Sequence, residues 1–142
     1  MIIPDANLLV YAHNAADPDH AKAKAWWRRL LAGTEDVGIP MAVVMAFVRL
    51  TTSPRVLLHP LDVARSTAIT SSWFQAPPVR LLHTTPDHLA LFVRLANQVG
   101  VGGNLTTDIH LAALASEYRA VIHSADADFG RFSGIRWINP LK

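Results

Sequence analysis

The 142-residue chain contains no cysteine, and this absence excludes disulfide bonds, thiolate metal sites and a cysteine nucleophile. Charged residues make up only 17% of the sequence, and no apolar run reaches the roughly 18 residues that a membrane-spanning helix needs. The first residues also lack the basic stretch and the long apolar core of a secretory signal. We therefore expect a cytoplasmic protein that has no membrane partner.

Apolar residues dominate what is present. They make up 51% of the chain, which argues against disorder, and the length fits one domain spanning residues 1–142. Ten of the 13 basic residues are arginines, whose guanidinium groups can bind phosphate oxygens at two points. The formal net charge is only +2, however, so the composition permits a nucleic-acid partner without requiring one.

Short apolar segments alternate with helical patterns along the whole chain. The predicted strands are residues 1–4, 37–39, 79–83, 121–123 and 136–138. The predicted helices, some counted with their caps, are residues 7–13, 20–31, 41–51, 62–74, 87–99 and 104–118. This alternation favours a single α/β domain with a central parallel sheet and helices on both of its faces.

The chemistry depends on which of the nine aspartates and two glutamates have a structural explanation. Capping or solvation explains those at predicted helix starts, in a turn or near a helix end, which are Asp17, Asp19, Asp62, Asp87, Glu35, Asp36 and Glu117. The acids that remain as candidates for a functional site are Asp5, Asp108, Asp126 and Asp128.

Asp5 and Asp126 each follow a predicted strand directly. In a parallel α/β sheet, ligands bind beyond the carboxyl ends of the strands, where side chains from separate strands converge. Taken alone, Asp5 could equally be the cap of the first helix. Its pairing with a second strand-end aspartate favours a shared functional crevice.

The other two candidates lie in different settings. Asp108 is inside a predicted helix, on a face formed mainly by leucine and alanine side chains. A carboxylate on so apolar a face is costly unless it is paired, so either a salt bridge or a metal-binding cluster is expected there. Asp128 has two equal interpretations, because it can face the site with Asp126 or cap a short turn that ends at Phe129.

Several aspartates, with no cysteine and no histidine at metal-ligand spacing, favour Mg²⁺ or Mn²⁺ over Zn²⁺. When bound, such an ion can activate water and stabilise the transition state of phosphodiester hydrolysis. The residue types alone also permit a phosphatase or another Mg²⁺-dependent phosphoryl-transfer enzyme.

Three segments resemble the acidic motifs of VapC-type PIN-domain toxins, in the order and spacing of that family. Residues 2–12 (IIPDANLLVYA) resemble the opening segment, and residues 103–115 (GNLTTDIHLAALA) resemble the central acidic helix. Residues 124–129 (SADADF) are similar to the third motif. The likeness runs from residue 2 to about residue 140, and the three motifs together are far more specific than the first alone.

The resemblance implies a PIN fold and a Mg²⁺- or Mn²⁺-dependent endoribonuclease that acts as the toxin of a type II toxin–antitoxin pair. It further implies an RNA substrate, a homodimer and a cognate VapB-type antitoxin that reaches into the acidic groove. By the same resemblance, the catalytic and metal-binding residues are Asp5, Asp108 and Asp126, the fourth metal-binding acid is Asp128, and the supporting polar residues are Asn7 and Ser124.

The sequence departs from the family at one acidic position. Such toxins usually carry a glutamate in the helix after the second strand, where this chain has Ala46. A site without this carboxylate either binds its metal with the help of Asp128 and water, or has become a non-catalytic RNA- or protein-binding module. Arg49, on the same helix, is predicted to hold RNA phosphate or to pair with one of the acids.

Two further features have structural interpretations. Trp26 and Trp27 are neighbours on a predicted helix, so one ring should pack inward while the other covers a dimer or antitoxin surface. His110 lies two residues from Asp108 and therefore points away from it on the helix, which favours a structural role.

Overall fold

In the computed structural model, which describes residues 1–142, the chain contains five short strands. They are β1 (Ile2–Pro4), β2 (Val37–Pro40), β3 (Val79–Leu82), β4 (Val121–His123) and β5 (Arg136–Ile138). All neighbouring pairs are parallel, and the strands lie side by side in the order β3–β2–β1–β4–β5. The predicted parallel sheet is confirmed, and every strand lies within a residue of its predicted bounds.

Six α-helices cover this sheet. They are α1 (Ala6–His13), α2 (His20–Ala32), α3 (Met41–Thr51), α4 (Val63–Trp73), α5 (His88–Val99) and α6 (Thr106–Tyr118). Helix α1 packs against α2 and α3, α3 packs against α4, and α5 packs against α6, so two groups of helices enclose the sheet on both faces. No helix combines the length and the apolar character that crossing a membrane requires.

The core lies on both sides of the central strands. β1 and β2 are buried along their whole lengths, as expected for parallel strands covered by helices on both faces.

An aromatic cluster joins three of the helices. The ring centroids of Phe47 and Trp73 lie 4.7 Å apart, and those of Trp27 and Trp73 lie 5.9 Å apart, both in edge-to-face geometry. Because these rings come from α3, α4 and α2, their contacts hold the three helices together.

The prediction that one tryptophan of the Trp26–Trp27 pair covers a surface is wrong. Both side chains belong to the core, with exposed fractions of only 2% and 4%. The indole N–H of Trp26 donates to Nδ1 of His123 at 3.0 Å, which removes the penalty for burying that polar group. Their burial leaves neither ring available for a partner protein or for RNA.

Not all the caps predicted at helix starts are formed. Asp62 accepts a backbone N–H of α4 at 2.7 Å and so caps that helix as predicted. Asp19 and Asp87 take the cap positions of α2 and α5 but make no side-chain cap hydrogen bond. The sequence also predicts Asn104 as the cap of the last helix, and this is wrong, because a short 3₁₀ turn that includes Asn104 precedes α6.

Candidate active site

The strand order changes direction at β1. The chain passes from β1 to β2 and β3 on one side of the sheet, whereas β4 and β5 lie on the other side. In open α/β sheets, ligands bind at such a switch point, beyond the carboxyl ends of the two strands that meet there. Here those strands are β1 and β4, and the backbone N–H of Asp5 donates to the carbonyl of His123 at 2.9 Å. The predicted convergence of the two strand ends is confirmed.

Three of the predicted acids lie together near this point. Asp108 is in the first turn of α6, and Asp126 and Asp128 are at the 3₁₀ turn Ala127–Arg131. Each offers a carboxylate oxygen, and these oxygens lie within 4.8 Å of one another. We call these three residues the acidic cluster. Asp108 pairs with no basic side chain, so the salt-bridge interpretation of this residue is wrong, whereas a hard divalent cation fits the set of oxygens.

Asp5 lies beside the acidic cluster. One of its carboxylate oxygens accepts the backbone N–H of Ala6 at 2.7 Å at the start of α1, and the other accepts the hydroxyl of Ser124 at 2.6 Å. Burial raises the pKa of Asp5 above its ordinary value of 3.8; the two hydrogen bonds oppose this rise, and the charge of Asp126 adds to it. The same carboxylate therefore caps a helix and faces the acid at the end of the neighbouring strand.

The side chain of Ser124 joins the two strand ends. It is fully buried, and its hydroxyl donates to Asp5 while accepting the backbone N–H of Asp126 at 2.9 Å and the side-chain amide of Asn7 at 3.2 Å. One donated and two accepted bonds use the whole hydrogen-bonding capacity of a hydroxyl. Asn7 and Ser124 thus lie beside the acids as the sequence indicated, and their contribution to metal binding stays a prediction.

The turn after β4 decides between the two interpretations of Asp128. Asp126, rather than Asp128, is the cap of this turn, because its carboxylate accepts the backbone N–H of Asp128 at 2.8 Å. The carboxylate of Asp128 lies in the acidic cluster and also accepts Nε of Arg131 at 3.2 Å. That ion pair is exposed to solvent and therefore contributes little to stability.

The electrostatics of the acidic cluster favour a bound cation. Burial raises the pKa of Asp108 from 3.8 to about 7, and the charges of Asp5, Asp126 and Asp128 act in the same direction. Its place in the first turn of α6 favours the ionised form by roughly 0.3–1 kcal/mol, which is too little to offset burial beside three other carboxylates. A divalent ion would relieve this repulsion, so geometry and charge indicate the same kind of ligand.

In the absence of metal, Asp108→Asn should make the protein more stable at alkaline pH. The folded protein holds the Asp108 proton up to about pH 7, whereas the unfolded chain releases it near 3.8, so stability falls as the pH rises between these values. The asparagine does not ionise and escapes this loss. Allowing for solvent screening of a half-buried group, we expect a gain of about 1–2 kcal/mol at pH 8, or a few degrees in Tm.

Thermal unfolding in EDTA at pH 4 and at pH 8 measures this difference between the wild-type and Asp108→Asn proteins. The gain should be near zero at pH 4, where Asp108 is protonated in most folded molecules, and present at pH 8. Excess Mg²⁺ should stabilise the wild-type protein and leave the variant unchanged. A variant less stable than wild type at both pH values would contradict the electrostatic argument.

Two predicted residues of α3 contribute no charge to the acidic cluster. Ala46 is half-buried and packs against the core, so this position supplies no carboxylate. Arg49 is exposed in the last turn of α3 and forms no ion pair. Its predicted pairing with one of the acids is therefore wrong, while its contact with RNA phosphate stays a prediction.

A partly buried polar chain between α5 and α6 was missed by the sequence reasoning. Glu117 accepts the hydroxyl of Thr85 at 2.7 Å and lies 3.1 Å from Nδ1 of His88, whose Nε2 lies 2.9 Å from Nδ1 of His110. Burial, followed by the charge of His88, lowers the pKa of His110. The seven-residue spacing of His110 and Glu117 is a signal for one shared helix face, but it does not reveal the partner on the other helix.

Comparison with known proteins indicates the class to which this arrangement belongs. Residues 2–135 match the family model described as PIN domain. Ribonuclease VapC33 of Mycobacterium tuberculosis is 42% identical over 142 residues, covering 100% of this chain and 99% of that protein. Ribonuclease VapC37 of the same species is 44% identical over 142 residues, covering 99% of this chain and 97% of that protein.

A solved structure has a similar fold. The structure of VapBC-1 from nontypeable Haemophilus influenzae matches with a TM-score of 0.71 and 15% identity, covering 100% of both chains, and at that identity the likeness concerns the fold alone. The chain therefore belongs to the PIN-domain family, as its three motifs predicted. Within that family it belongs to the VapC group, because relatives of that name match it along its whole length at 42% and 44% identity.

Proposed function

We propose that this protein is a divalent-metal-dependent endoribonuclease that acts as the toxin of a type II toxin–antitoxin pair. One observation carries the proposal: the acidic cluster lies at the switch point of the sheet, in a chain whose relatives at 42% and 44% identity are named ribonucleases. The reaction is the hydrolysis of a phosphodiester bond of RNA by water.

The residues present fit Mg²⁺ or Mn²⁺. The cluster consists of carboxylates alone, without cysteine or histidine, and such oxygen ligands suit these hard cations. Asp108, Asp126 and Asp128 would hold the ion, and Asp5 would complete the ligand set directly or through water. When bound, the ion supplies an activated water and neutralises the charge on the attacked phosphate and on the leaving oxygen.

The protein's own groups prepare the site for this reaction. Asp108 releases its proton to make room for a cation, which is easy near neutral pH because its pKa is about 7. Ser124 holds the catalytic carboxylate of Asp5 in one orientation through its 2.6 Å hydrogen bond. Asp128 supplies the carboxylate that Ala46 does not, so the site keeps four acids despite its departure from the family pattern.

The partners follow from the same proposal. RNA is the substrate, and the exposed guanidinium of Arg49 binds one of its phosphates. Membership of the VapC group supports a VapB-type antitoxin that would reach into the acidic groove. Leu89 and Val93 of α5 are one helical turn apart and 72% and 49% exposed, which supports a homodimer interface on that face.

Purified protein should cut RNA at discrete sites when Mg²⁺ or Mn²⁺ is present. EDTA should abolish cleavage and surplus metal should restore it, because the chelator removes the ion while the chain stays folded. Cleavage mapping on total cellular RNA measures this, and Asp108→Asn protein purified in parallel controls for a contaminating nuclease. Cleavage that persists in EDTA would refute the proposal.

The same purified protein can be used to distinguish two other functions from the proposed ribonuclease. Hydrolysis of a phosphomonoester under these metal conditions, with RNA left intact, would favour a phosphatase. RNA affinity without any divalent-ion binding in calorimetry would favour the non-catalytic module that Ala46 suggests. Either result would replace the proposed ribonuclease.

A further inference from the structure

A groove of about 470 Å³ opens on the same side of the sheet as the acidic cluster. Part of its lining is apolar and includes Phe92 of α5 with Met41 and Met45 of α3, which are 50% and 59% exposed. Another part is polar and includes Thr107 and His110 of α6. The volume lies within the range of pockets that bind small organic molecules, roughly 300–1,000 Å³.

The groove continues the edge of the sheet at which the acids lie. Its lining includes Pro40 and Leu82 at the carboxyl ends of β2 and β3, whereas Asp5 and Asp126 follow β1 and β4. β2 is the direct neighbour of β1, and neighbouring strands are about 4.8 Å apart. Thr107, which lines the groove, directly precedes Asp108 of the acidic cluster, so a polymer bound across the cluster would extend toward this groove.

The partly buried polar chain of α5 and α6 ends at the groove. Glu117, whose side chain is 3% exposed, is fixed by Thr85 and in turn holds His88, which holds His110. Nδ1 of His110 is used by this chain, whereas its Nε2 makes no hydrogen bond within the protein and is not sealed in the core. His110 lines the groove, so Nε2 is the polar atom that the chain presents to a ligand.

The hydrogen bonds of this polar chain also determine whether Nε2 of His110 donates or accepts. A carboxylate can only accept, so Nδ1 of His88 donates to Glu117. When the His88 ring is neutral, its Nε2 accepts from Nδ1 of His110, and Nε2 of His110 is left as an acceptor. In this neutral state of His88 and His110, an acceptor in a partly apolar groove selects a ligand that carries a hydrogen-bond donor.

We propose that the groove binds the nucleoside next to the cleaved phosphate and that Nε2 of His110 accepts a hydrogen bond from it. This inference rests on the proposed ribonuclease function, because RNA bound at the acidic cluster delivers the nucleoside. Unpaired RNA bases pack against apolar and aromatic side chains, such as those in the groove. The donor is the exocyclic amine of the base or the ribose 2′-hydroxyl. Glu117 and His88 are positioning residues, because they act through His110.

Two substitutions of His110 separate its two nitrogens. His110→Asn keeps a polar group on the side of His88 and removes the groove atom, whereas His110→Gln carries an amide to the Nε2 position. We would measure kcat/KM on short RNAs that carry each base, and then each 2′-deoxynucleotide, at positions flanking the mapped cleavage site. For RNAs that differ at one flanking position, we expect the ratio of their kcat/KM values to fall about tenfold in His110→Asn relative to wild type. His110→Gln should keep part of this preference. A lost base preference assigns the donor to the amine, and a lost sensitivity to 2′-deoxy substitution assigns it to the ribose.

Other outcomes would overturn the inference. A structural residue affects every substrate alike. An unchanged preference, or an equal slowing of all RNAs in His110→Asn, would therefore exclude a role of His110 in selecting the nucleoside. A changed oligomeric state with unchanged preference would assign the groove to a second copy of the chain.

Failure of the proposed catalysis would be recognised separately. If the wild-type protein binds these RNAs without cutting them, fluorescence anisotropy replaces kcat/KM, and a preference that depends on His110 still supports the groove. An unchanged preference in that assay overturns it. If the protein neither cuts nor binds RNA, both the proposed function and the groove assignment are wrong.

Discussion

Asp108→Asn is expected to reduce RNA cleavage by about 1,000-fold or more, which corresponds to about 4 kcal/mol of transition-state stabilisation. The asparagine has nearly the same shape and should pack normally at the start of α6. It is neutral, however, and replaces one of three carboxylates whose oxygens lie within 4.8 Å of one another. Single-turnover cleavage of a mapped RNA at saturating Mg²⁺ measures the loss, and calorimetry measures the accompanying loss of metal affinity.

Asp19→Asn is the matched control for this substitution. Asp19 is exposed, precedes α2 and makes no side-chain cap hydrogen bond, so the same change of charge there should leave cleavage and metal binding unaltered. An equal loss in both variants would indicate a general effect of charge on RNA affinity. An Asp108→Asn protein that retains activity within about tenfold of wild type would remove Asp108 from the catalytic site.

The sheet could be predicted because its strands carry local signals. β1 is a short apolar run that ends before Asp5, and β4 begins with Val121 and Ile122 and ends before Ser124. Parallel strands covered on both faces read in this way because they have no solvated side. The spatial order of the strands was not predicted, since it depends on which face each connecting helix crosses. That order is what makes the ends of β1 and β4 neighbours.

The candidate site could be predicted in its residues better than in its contacts. Asp108 stands out because a carboxylate on an apolar helix face needs a partner, and this argument uses the sequence alone. Asp5 could be a helix cap or part of a shared crevice, and the two interpretations are compatible. One carboxylate oxygen accepts the N–H of Ala6, and the other accepts the hydroxyl of Ser124 at the neighbouring strand end. For Asp128, the sequence left open whether it faces the site or caps the turn, because only the backbone geometry of the turn decides between them.

Buried polar groups mark where prediction from this sequence ends. Helical spacing suggested one exposed ring in the tryptophan pair, but Trp26 finds its acceptor on His123, 97 residues away. Glu117 had no catalytic context along the chain, yet it is paired with His88, which is 29 residues away. A buried polar group is explained by its tertiary partner, and the periodicity of one helix does not identify that partner.

Ser124→Ala is expected to lower Mg²⁺ affinity by about 10- to 100-fold, although Ser124 is not proposed as a metal ligand. The substitution removes the donor to Asp5 and leaves the N–H of Asp126 and the amide of Asn7 without their acceptor. It also raises the pKa of Asp5, because the Ser124 hydrogen bond opposes the effect of burial. The Mg²⁺ concentration at half-maximal cleavage measures the change, with calorimetry of Mn²⁺ binding as a second reading.

Ser66→Ala separates this effect from a general loss of stability. Ser66 on α4 is also fully buried, and its hydroxyl shares a 2.7 Å hydrogen bond with Thr51 of α3. Ser124→Ala should lower the free energy of unfolding by about 1–3 kcal/mol, because it leaves buried donors unsatisfied. Ser66→Ala should lower it by about 1 kcal/mol, because one hydrogen bond is lost while the hydroxyl of Thr51 still donates to the carbonyl of Phe47. Only Ser124→Ala should change the metal dependence, and more strongly at lower pH, where more of the Asp5 carboxyl is protonated. Equal metal dependence in the two variants would mean that the orientation of Asp5 does not control the metal centre.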